Sequence, residues 1–438
     1  MATKKGRKVT SSKAAAAASS ASSSVEELLL AALERGDDSF ETGRFLVTFK
    51  EGASEAGLQA LGAKGMRVAD ARDYKNQAAT LESVGDADAV MFPEVGVALL
   101  GSGAAKSRDM SVHAEIAADS PIEVIEPEYF VFSQDVNPGE YLRGFLRATE
   151  TIAKDLTELV VIPREEPEGA LALGATWGLI ACKVPPSVRS GVGIKVAVLD
   201  TGMDLGHPDF AGRPITSQTF VGQPVQDLHS HGTHCIGTAC GTKTPPGINP
   251  RYGIAYRAAI FAGKVLANSG SSVGGSVIAG MNWAIANRCE VISMSLGGQS
   301  PIQAAYTAAG LAALNNGLLI IAAAGNAGST TGAPANSPTI MSVASLDRGL
   351  TPSSFSNFGK IEIAGPGRDV FSSVPRPTKY GTKSGTSMAT PHVAGCAALW
   401  AETSPSLRGM NLWRKLQATA KALPFPATRV GSGLVQAP

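Results

Sequence analysis

In the second half of the chain, from about residue 171 onward, near-continuous apolar runs alternate with helical segments. The strand-like runs are GIKVAVLD, AAIFAGKVL, CEVISMSL, LLIIAAAG and TIMSVAS, and SVIAGMNWAIAN and PIQAAYTAAGLAALNN lie between them. Strands that are apolar on both faces must be covered on both faces, so this pattern predicts an α/β fold, a mostly parallel sheet with helices on both sides. Ligands of such sheets bind beyond the carboxyl ends of the strands. Asp200 and Asn326 both fall at or just past such an end.

Residues 43–134 predict a smaller α+β unit that precedes this sheet. Phe45, Val47 and Phe49 recur at every second position, which is typical of a strand. SEAGLQALGAKG predicts a helix, MRVADARDY and residues 88–100 predict strands, a stretch near residues 110–118 predicts a second helix, and PIEVIEPEYFVFS predicts a last strand. The order βαββαβ predicts a ferredoxin-like fold.

The remaining segments complete the predicted organisation. They are a disordered tail that is basic and then rich in Ala and Ser (1–24), a short helix with a linker (25–42), a partly helical connector (135–170) and the α/β domain (171–438). The connector ends in the exposed loop IPREEPEG, and proteolytic nicking concentrates in such loops.

The short helix after the tail begins with a capping box formed by Ser24 and Glu27. Leu28, Leu29 and Leu33 would line one side of this helix. Such a helix usually packs on its own domain, and docking to a partner protein is the alternative.

Composition excludes several classes of protein. At 438 residues the chain suits two domains. Its net charge of +1 provides no field that would attract nucleic acid or an anionic membrane, and no apolar run approaches the roughly 20 residues of a membrane helix. Five cysteines are too few and odd in number for a disulfide framework, so we expect buried thiols. The N-terminus lacks the apolar segment of a secretory signal, which predicts a cytoplasmic protein and leaves export by another route open.

Three short segments contain the groups of a nucleophilic serine site. Asp200 lies in VAVLDTGMD, His231 in HSHGTHCIGT and Ser387 in GTSMATPHVAG. A serine hydroxyl needs a neighbouring base, and that base needs a group that fixes its tautomer. Asn326, in IAAAGNAG, could donate its side-chain N–H to an oxyanion. Singly, each residue is better explained as a turn former or a helix cap, but their joint occurrence in this order favours catalysis.

The same region permits a second chemical interpretation. His231, His234 and Cys235 could be metal ligands, with His229 and Cys240 near them in sequence. A zinc site needs a fourth ligand at typical spacing, and no second Cys or His cluster provides one. We therefore predict no metal at this site.

The motifs DTGMD, HGTH and GTSMATPHVAG, in this order, resemble those of the subtilisin-like serine peptidases, the subtilases. The resemblance runs from about Trp177 to the C-terminus. It implies a triad of Asp200, His231 and Ser387, with Asn326 as the oxyanion donor. Cys235, directly after HGTH, resembles the cysteine of the proteinase K branch. Residues 43–134 resemble, more weakly, the subtilase propeptide of the inhibitor I9 type. This resemblance implies a unit that assists folding and covers the active site, with its last strand, EYFVFS, near the groove.

The resemblance also implies where a substrate would bind. A peptide would add as a strand between two edge segments and place one side chain in a pocket. The implied contact residues are Gly270, Ser271 and Ser272, then Ser295, Leu296 and Gly297, then Ala323, Ala324 and Gly325, with the stretch near Gly332 and Ala333. Because these residues are small and uncharged, we expect a broad or apolar preference at the residue before the cut.

The resemblance implies no required cofactor, although structural calcium is common in the family. Asp209, in HPDF, matches a usual ligand position, and Glu362 lies where an Asp is often found. The segment TKTPPGINPRYGIA does not match the usual calcium loop, so we assign no ligand.

These features predict a serine endopeptidase made as a self-inhibited zymogen. Its partners would be polypeptide substrates and its own propeptide-like unit. Two alternatives keep the fold: a narrow intracellular processing peptidase for one partner, and an inactive peptide-binding protein.

Overall fold

A computed structural model describes residues 25–34, 40–74, 78–108, 110, 116–133 and 174–438, except for the side chains of residues 33 and 34. The predicted tail, Ser24 of the capping box, the Leu33 side chain and the connector with its helix lie outside the described part.

The described residues of the N-terminal part form one mixed sheet, antiparallel except for the pair β2 and β3, and three α-helices. In chain order the elements are α1 (Val25–Glu34), β1 (Glu41–Phe49), α2 (Ser54–Ala63), β2 (Val68–Asp70), β3 (Ala89–Phe92), β4 (Val97–Leu100), α3 (Ser102–Ser107) and β5 (Ile122–Ser133). The strand order is β5-β1-β4-β3-β2, and β1 is antiparallel to both β4 and β5. The element order is therefore βαββαβ with β2 as an additional short edge strand.

One local prediction in this part lies mostly outside the described residues, and another differs from the structure. The second helix is α3, at Ser102–Ser107, whereas most of the predicted stretch near residues 110–118 lies outside the described part. MRVADARDY forms only the short strand β2, because a 3-10 turn (Ala71–Asp73) follows at once. The Asp70 carboxylate accepts a hydrogen bond from the Arg72 N–H and so caps this turn.

Strand β1 is buried on both faces. Val47 and Phe49 share a core with Leu61 of α2. Leu46, on the opposite face, belongs to a second core that continues into the C-terminal part of the chain. The N-terminal sheet therefore packs between its own helices and two helices of the C-terminal part, Gly274–Ala286 and Ala304–Asn315.

The larger sheet has seven strands, all parallel, in the order β14-β13-β12-β10-β6-β8-β7. Its strands are β6 (Lys195–Asp200), β7 (Ile215–Thr219), β8 (Ala259–Lys264), β10 (Val291–Met294), β12 (Leu319–Ala323), β13 (Met341–Leu346) and β14 (Ile363–Pro366). Outside it lie the short strands β9 (Ser271–Val273) and β11 (Leu296–Gly297) and the hairpin β15 (Val370–Ser373) with β16 (Tyr380–Lys383).

Helices cover both faces of this sheet, as the apolar runs predict. They are α4 (Trp177–Ala181), α5 (His231–Cys240), α6 (Gly274–Ala286), α7 (Ala304–Asn315), α8 (Thr386–Thr403), α9 (Gly409–Thr419) and α10 (Ala427–Val430). Along β6, Val196 and Val198 face the core that contains α5 and α8, whereas Ala197 and Leu199 face the core that contains α6 and α7. None of the helices in the described residues is long and apolar enough to cross a membrane.

Candidate active site

Asp200 is the last residue of β6, and the backbone turns sharply after it. Gly202 has φ +99°, and a Cβ there would lie 2.0 Å from the Val225 carbonyl oxygen, so only glycine fits this turn. Asp200 Oδ1 accepts hydrogen bonds from the Thr201 N–H and from His231 Nδ1, each at 2.7 Å. Because Nδ1 carries the proton that Asp200 accepts, Nε2 is left as the basic ring nitrogen.

His231 begins helix α5, and the loop before it is organised by a buried carboxylate. Asp227 accepts hydrogen bonds from the backbone N–H groups of His229, Ser230 and Thr233, each at 2.9 Å. It also accepts from the hydroxyl of Thr201, next to Asp200. One carboxylate thus ties the end of β6 to the start of α5, which fixes the imidazole against its acid partner.

Ser387 is the second residue of α8, whose N-terminus lies beside that of α5. Its hydroxyl donates to the Ser295 carbonyl oxygen at 3.2 Å. The Cys235 sulfur lies 3.6 Å from the Ser387 carbonyl oxygen and 3.9 Å from His231 Nδ1. A single side chain therefore touches both helices, and the acid, the imidazole and the hydroxyl share one buried neighbourhood.

Asn326 lies just beyond β12 and contacts the first residue of α8. Its Oδ1 accepts from the backbone N–H of Thr386 at 2.9 Å and from the Thr386 hydroxyl at 2.8 Å. Because the backbone N–H can only donate, the oxygen end of the amide is fixed, and the nitrogen end points toward the turn at Gly385. The amide nitrogen therefore lies at the turn that leads to Ser387.

The predicted edge segments flank a strand of the same chain. Strand β5 lies between β9 and β11 and is antiparallel to both. Phe132 pairs with Ser271 on one side and with Gly297 on the other. The Ser133 N–H donates to the Gly270 carbonyl oxygen at 2.7 Å. The end of the N-terminal part therefore occupies the position at which the resemblance places a peptide substrate.

The other predicted contact residues lie at the end of β12 and next to β11. Ala323, Ala324 and Gly325 follow one another at the end of β12, and the Gly325 N–H donates to the Thr386 hydroxyl at 3.2 Å. Ala333 forms a β-bridge with Gly298, directly after β11. Ala323, Ala324 and Ala333 are buried.

The metal interpretation fits the structure poorly. Within the described residues, the trio of potential ligands that lie together is Asp200, His231 and Cys235. Burial raises the pKa of the Cys235 thiol, which disfavours the thiolate that binds metals. His234 donates from Nε2 to the Val370 carbonyl oxygen, and burial lowers its pKa to about 3. His234 is therefore a neutral core residue.

The two positions suggested for calcium are occupied by groups of the chain itself. Asp209 accepts hydrogen bonds from the hydroxyls of Tyr252 at 2.5 Å and Tyr380 at 2.9 Å. Glu362 accepts from the Lys360 ammonium at 2.8 Å, and that ammonium also donates to the carbonyl oxygens of Ala335 and Ile340. Phenol protons and an ammonium ion occupy the oxygens that calcium would need, so these residues do not fit calcium.

Sequence reasoning missed two groups beside the site, Asp227 and Lys264. Lys264 is fully buried, and its ammonium donates to the Thr201 carbonyl oxygen at 2.5 Å and to Asn268 Oδ1 at 2.8 Å. Burial lowers its pKa to about 8. A signal for Asp227 was present, since an acidic residue shortly before a helix start accepts backbone N–H groups. Lys264 ends an apolar strand, and no pattern in the sequence marked it.

The site lies within a region of the chain that matches a known protein family. The family model for subtilases, peptidase S8, matches residues 191–433, more than half of the chain. Subtilisin from Bacillus pumilus is 38% identical over 265 residues, which cover 58% of this chain and 94% of that protein. Subtilisin Savinase from Lederbergia lenta is 39% identical over 273 residues, which cover 61% and 98%.

A solved structure gives the same result for the fold. The crystal structure of a cold adapted subtilisin-like serine proteinase matches with a TM-score of 0.54 and 32% identity. The match covers 60% of this chain and 98% of that one. The chain belongs to the subtilase family.

Proposed function

We propose that this serine-type endopeptidase cleaves polypeptides with Ser387 as nucleophile, His231 as general base and Asp200 as the group that orients the imidazole. The hydrogen bond of 2.7 Å from His231 Nδ1 to Asp200 is the observation that supports this assignment most directly. It leaves Nε2 as the nitrogen that takes the proton of the Ser387 hydroxyl.

In the proposed reaction, Ser387 Oγ attacks the carbonyl carbon of the scissile bond while His231 Nε2 accepts the hydroxyl proton. Asn326 Nδ2 donates to the oxyanion, as does the N-terminus of α8, where backbone N–H groups favour negative charge. His231 then returns the proton to the leaving amine, and an acyl-enzyme remains on Ser387. Water, activated by the same imidazole, releases the acid product.

We further propose that the chain is made as a zymogen whose N-terminal part blocks the groove. The support is the register of β5, which pairs with both β9 and β11 where a substrate strand would add. The predicted I9-like role of residues 43–134 is consistent with this arrangement. A substrate would bind to the same backbone groups of β9 and β11 that now pair with β5. Substrate and β5 would therefore compete for the groove.

The same register suggests the bond at which the chain cuts itself. Leu296 pairs with Ser133, and the preceding residue on the groove edge is Ser295, whose carbonyl oxygen accepts the Ser387 hydroxyl. In the sequence, Gln134 follows Ser133 and Ser295 precedes Leu296. We therefore propose Gln134–Asp135 as the bond that Ser387 attacks.

A fluorophosphonate probe tests the proposed catalytic serine, because only an activated hydroxyl reacts with it. We expect one label per chain on Ser387 and no label in Ser387→Ala. Ser384→Ala is a matched control on the turn before α8 and should label like the wild type. No label on Ser387, even after the first 134 residues have been removed by limited proteolysis, would instead favour an inactive peptide-binding protein.

A further inference from the structure

Helix α1 lies over the strand that fills the groove, and the proposed function does not account for it. Val25, Leu28, Leu29 and Ala32 of this helix are buried in one cluster. The other members of that cluster are Phe130 and Phe132 of β5 and Val273 of β9, with Phe40 packed against it. The helix therefore contacts both the inserted strand and one wall of the groove.

The contacts of α1 with β5 lie on one face of that strand, and α1 also lies beside β1 and β9. Side chains alternate along a strand, and Val131 belongs to the core of the α/β domain while Phe130 and Phe132 face α1. Phe40 strengthens this face, since its ring meets the Phe132 ring edge-on at 6.3 Å and its carbonyl oxygen accepts the Phe130 N–H. The backbone of β5 thus pairs with β9 and β11, and its side chains Phe130 and Phe132 pack against α1.

We infer that α1 is an inhibitory clamp that closes over β5 and keeps it in the groove. This inference rests on the proposed function, because it assigns the regulation of the same site. A substrate peptide would bind through backbone hydrogen bonds and pocket contacts alone. The N-terminal part adds the apolar surface buried under α1, so it occupies the groove more firmly than a peptide with the sequence of β5.

Two adjacent leucines of α1 allow a matched test of the clamp. Leu29 is 1% exposed and faces the cluster, whereas Leu30 is 38% exposed. Leu29→Asp should undock the helix and Leu30→Asp should not, although both variants place the same charge on the same helix. The full chain is used with Ser387→Ala, so that neither self-cleavage nor activity influences the result.

Hydrogen exchange at the amides of residues 130–133 is the readout. We expect Leu29→Asp to accelerate it about tenfold or more, because burying one leucine changes a local equilibrium by at least that factor. Leu30→Asp should leave these rates unchanged. The Phe49 amide, which donates to the Gly96 carbonyl oxygen beside β4, reports whether the rest of the N-terminal sheet is intact. Equal rates in the two variants would overturn the clamp.

A second variant covers the case in which Leu29→Asp loosens the whole N-terminal sheet. A chain that begins at residue 40 lacks α1 but keeps every strand. If β1 and β4 amides stay slow in it while residues 130–133 exchange faster, the clamp is supported. If residues 130–133 remain as slow as in the longer chain, the clamp is wrong.

Labelling of Ser387 separates this inference from the proposed function. In chains that keep Ser387, the initial fluorophosphonate rate should rise about tenfold in Leu29→Asp and stay unchanged in Leu30→Asp. Equal rates in the two variants would contradict the clamp. Absence of label from every chain would contradict the proposed function, and the exchange rates would still decide whether α1 holds β5.

Discussion

At the scale of single residues, the Asn326 side chain is oriented by what its oxygen accepts. Both the backbone N–H and the hydroxyl of Thr386 donate to Oδ1. These two bonds hold the amide in one orientation before any substrate arrives. A donor that is already fixed needs no reorganisation when charge develops on the oxyanion, which is why such donors stabilise transition states strongly.

We expect Asn326→Ala to lower kcat by roughly 100- to 1000-fold with little change in KM, the range known for the equivalent donor of a subtilisin. Hydrolysis of a small peptide ester by the chain freed of its first 134 residues provides the measurement. Asn326→Asp is the control for structure, because its carboxylate still accepts from Thr386 but cannot donate. A kcat close to that of the wild type in either variant would contradict the assigned role.

The sequence predicted the chemical groups of the site better than the groups that position them. Asp200, His231 and Ser387 are flanked in sequence by small residues, which allow neighbouring backbone segments to come close. Gly202 is an example, because the Val225 carbonyl oxygen lies too close to where a Cβ would be. The role of Asp227 depends on a bond to Thr201, which lies 26 positions away in the chain. A contact of that span is created by the fold, so local patterns could not predict it.

At the scale of elements, β5 binds to the N-termini of two helices. Glu126 accepts from the backbone N–H groups of Ala304 at 3.0 Å and Ala305 at 2.8 Å, at the start of α7. Glu128 accepts from the Gly275 N–H at 2.7 Å, at the start of α6. It also forms an ion pair with Arg44, so its buried charge is compensated. Carboxylates at the N-termini of α6 and α7 accept hydrogen bonds from N–H groups that have no partner within the helix. Their negative charge also interacts favourably with the positive end of each helix dipole.

Glu126→Ala should therefore lower the free energy of unfolding of the N-terminal part by about 1–2 kcal/mol, the usual loss when a helix cap is removed. Glu123→Ala, at an exposed position of the same strand, should change it little. Protease susceptibility of residues 41–133 in increasing urea, measured with Ser387→Ala in both chains, gives the comparison. An equal effect of the two substitutions would show that the contact with α7 contributes nothing.

Lys360, which lies just before the start of β14, donates to three oxygens of neighbouring segments. Its ammonium contacts Glu362 and two carbonyl oxygens, and burial lowers its pKa while Glu362 opposes that shift. We expect Lys360→Met to lower the free energy of unfolding by about 1–3 kcal/mol, because a hydrogen-bonded carboxylate loses its partner. The exposed Lys421→Met is the matched control. Addition of EDTA should not lower the Tm of the wild type. A Tm that falls with EDTA and recovers when calcium is added would contradict the view that the Lys360 ammonium, and not calcium, contacts Glu362.

Element types were more predictable than element boundaries. The apolar runs of the parallel sheet were found because burial on both faces leaves a continuous signal. The second helix of the N-terminal part, at Ser102–Ser107, is only six residues long and follows β4 directly. A helix so short shows too little periodicity to be recognised from the sequence.

At the scale of the whole molecule, two buried imidazoles make stability depend on pH. Burial lowers the pKa of His234 to about 3 and that of His392 to about 4. In the unfolded chain a histidine takes up a proton near pH 6.5. Between these values the unfolded state binds more protons than the folded state, so stability falls as pH falls.

From about pH 6 down to about pH 4, the free energy of unfolding should fall by up to about 2.7 kcal/mol per pH unit from these two residues together. Urea unfolding of the Ser387→Ala chain at a series of pH values measures this slope. His392→Leu should remove about half of it, since one titrating group is lost. A slope that is the same in this variant and in the parent chain would contradict the proposed origin.

The arrangement of the two parts of the chain was predictable only from the resemblance to a propeptide, which implies that EYFVFS lies near the groove. The strand-like pattern of PIEVIEPEYFVFS was visible, but its neighbours β9 and β11 lie more than 130 residues further along the chain. The leucines of α1 were equally visible, and nothing in their spacing indicated that they cover Phe130 and Phe132. Both contacts depend on tertiary packing, which the local sequence does not encode in a readable pattern.

The most direct test of the account is N-terminal sequencing of the purified full-length chain after incubation at low concentration. The account predicts a new N-terminus at Asp135 in the wild type and an intact chain in Ser387→Ala. A first cut at a distant bond, or the same cut in Ser387→Ala, would contradict the claim that β5 presents its end to Ser387.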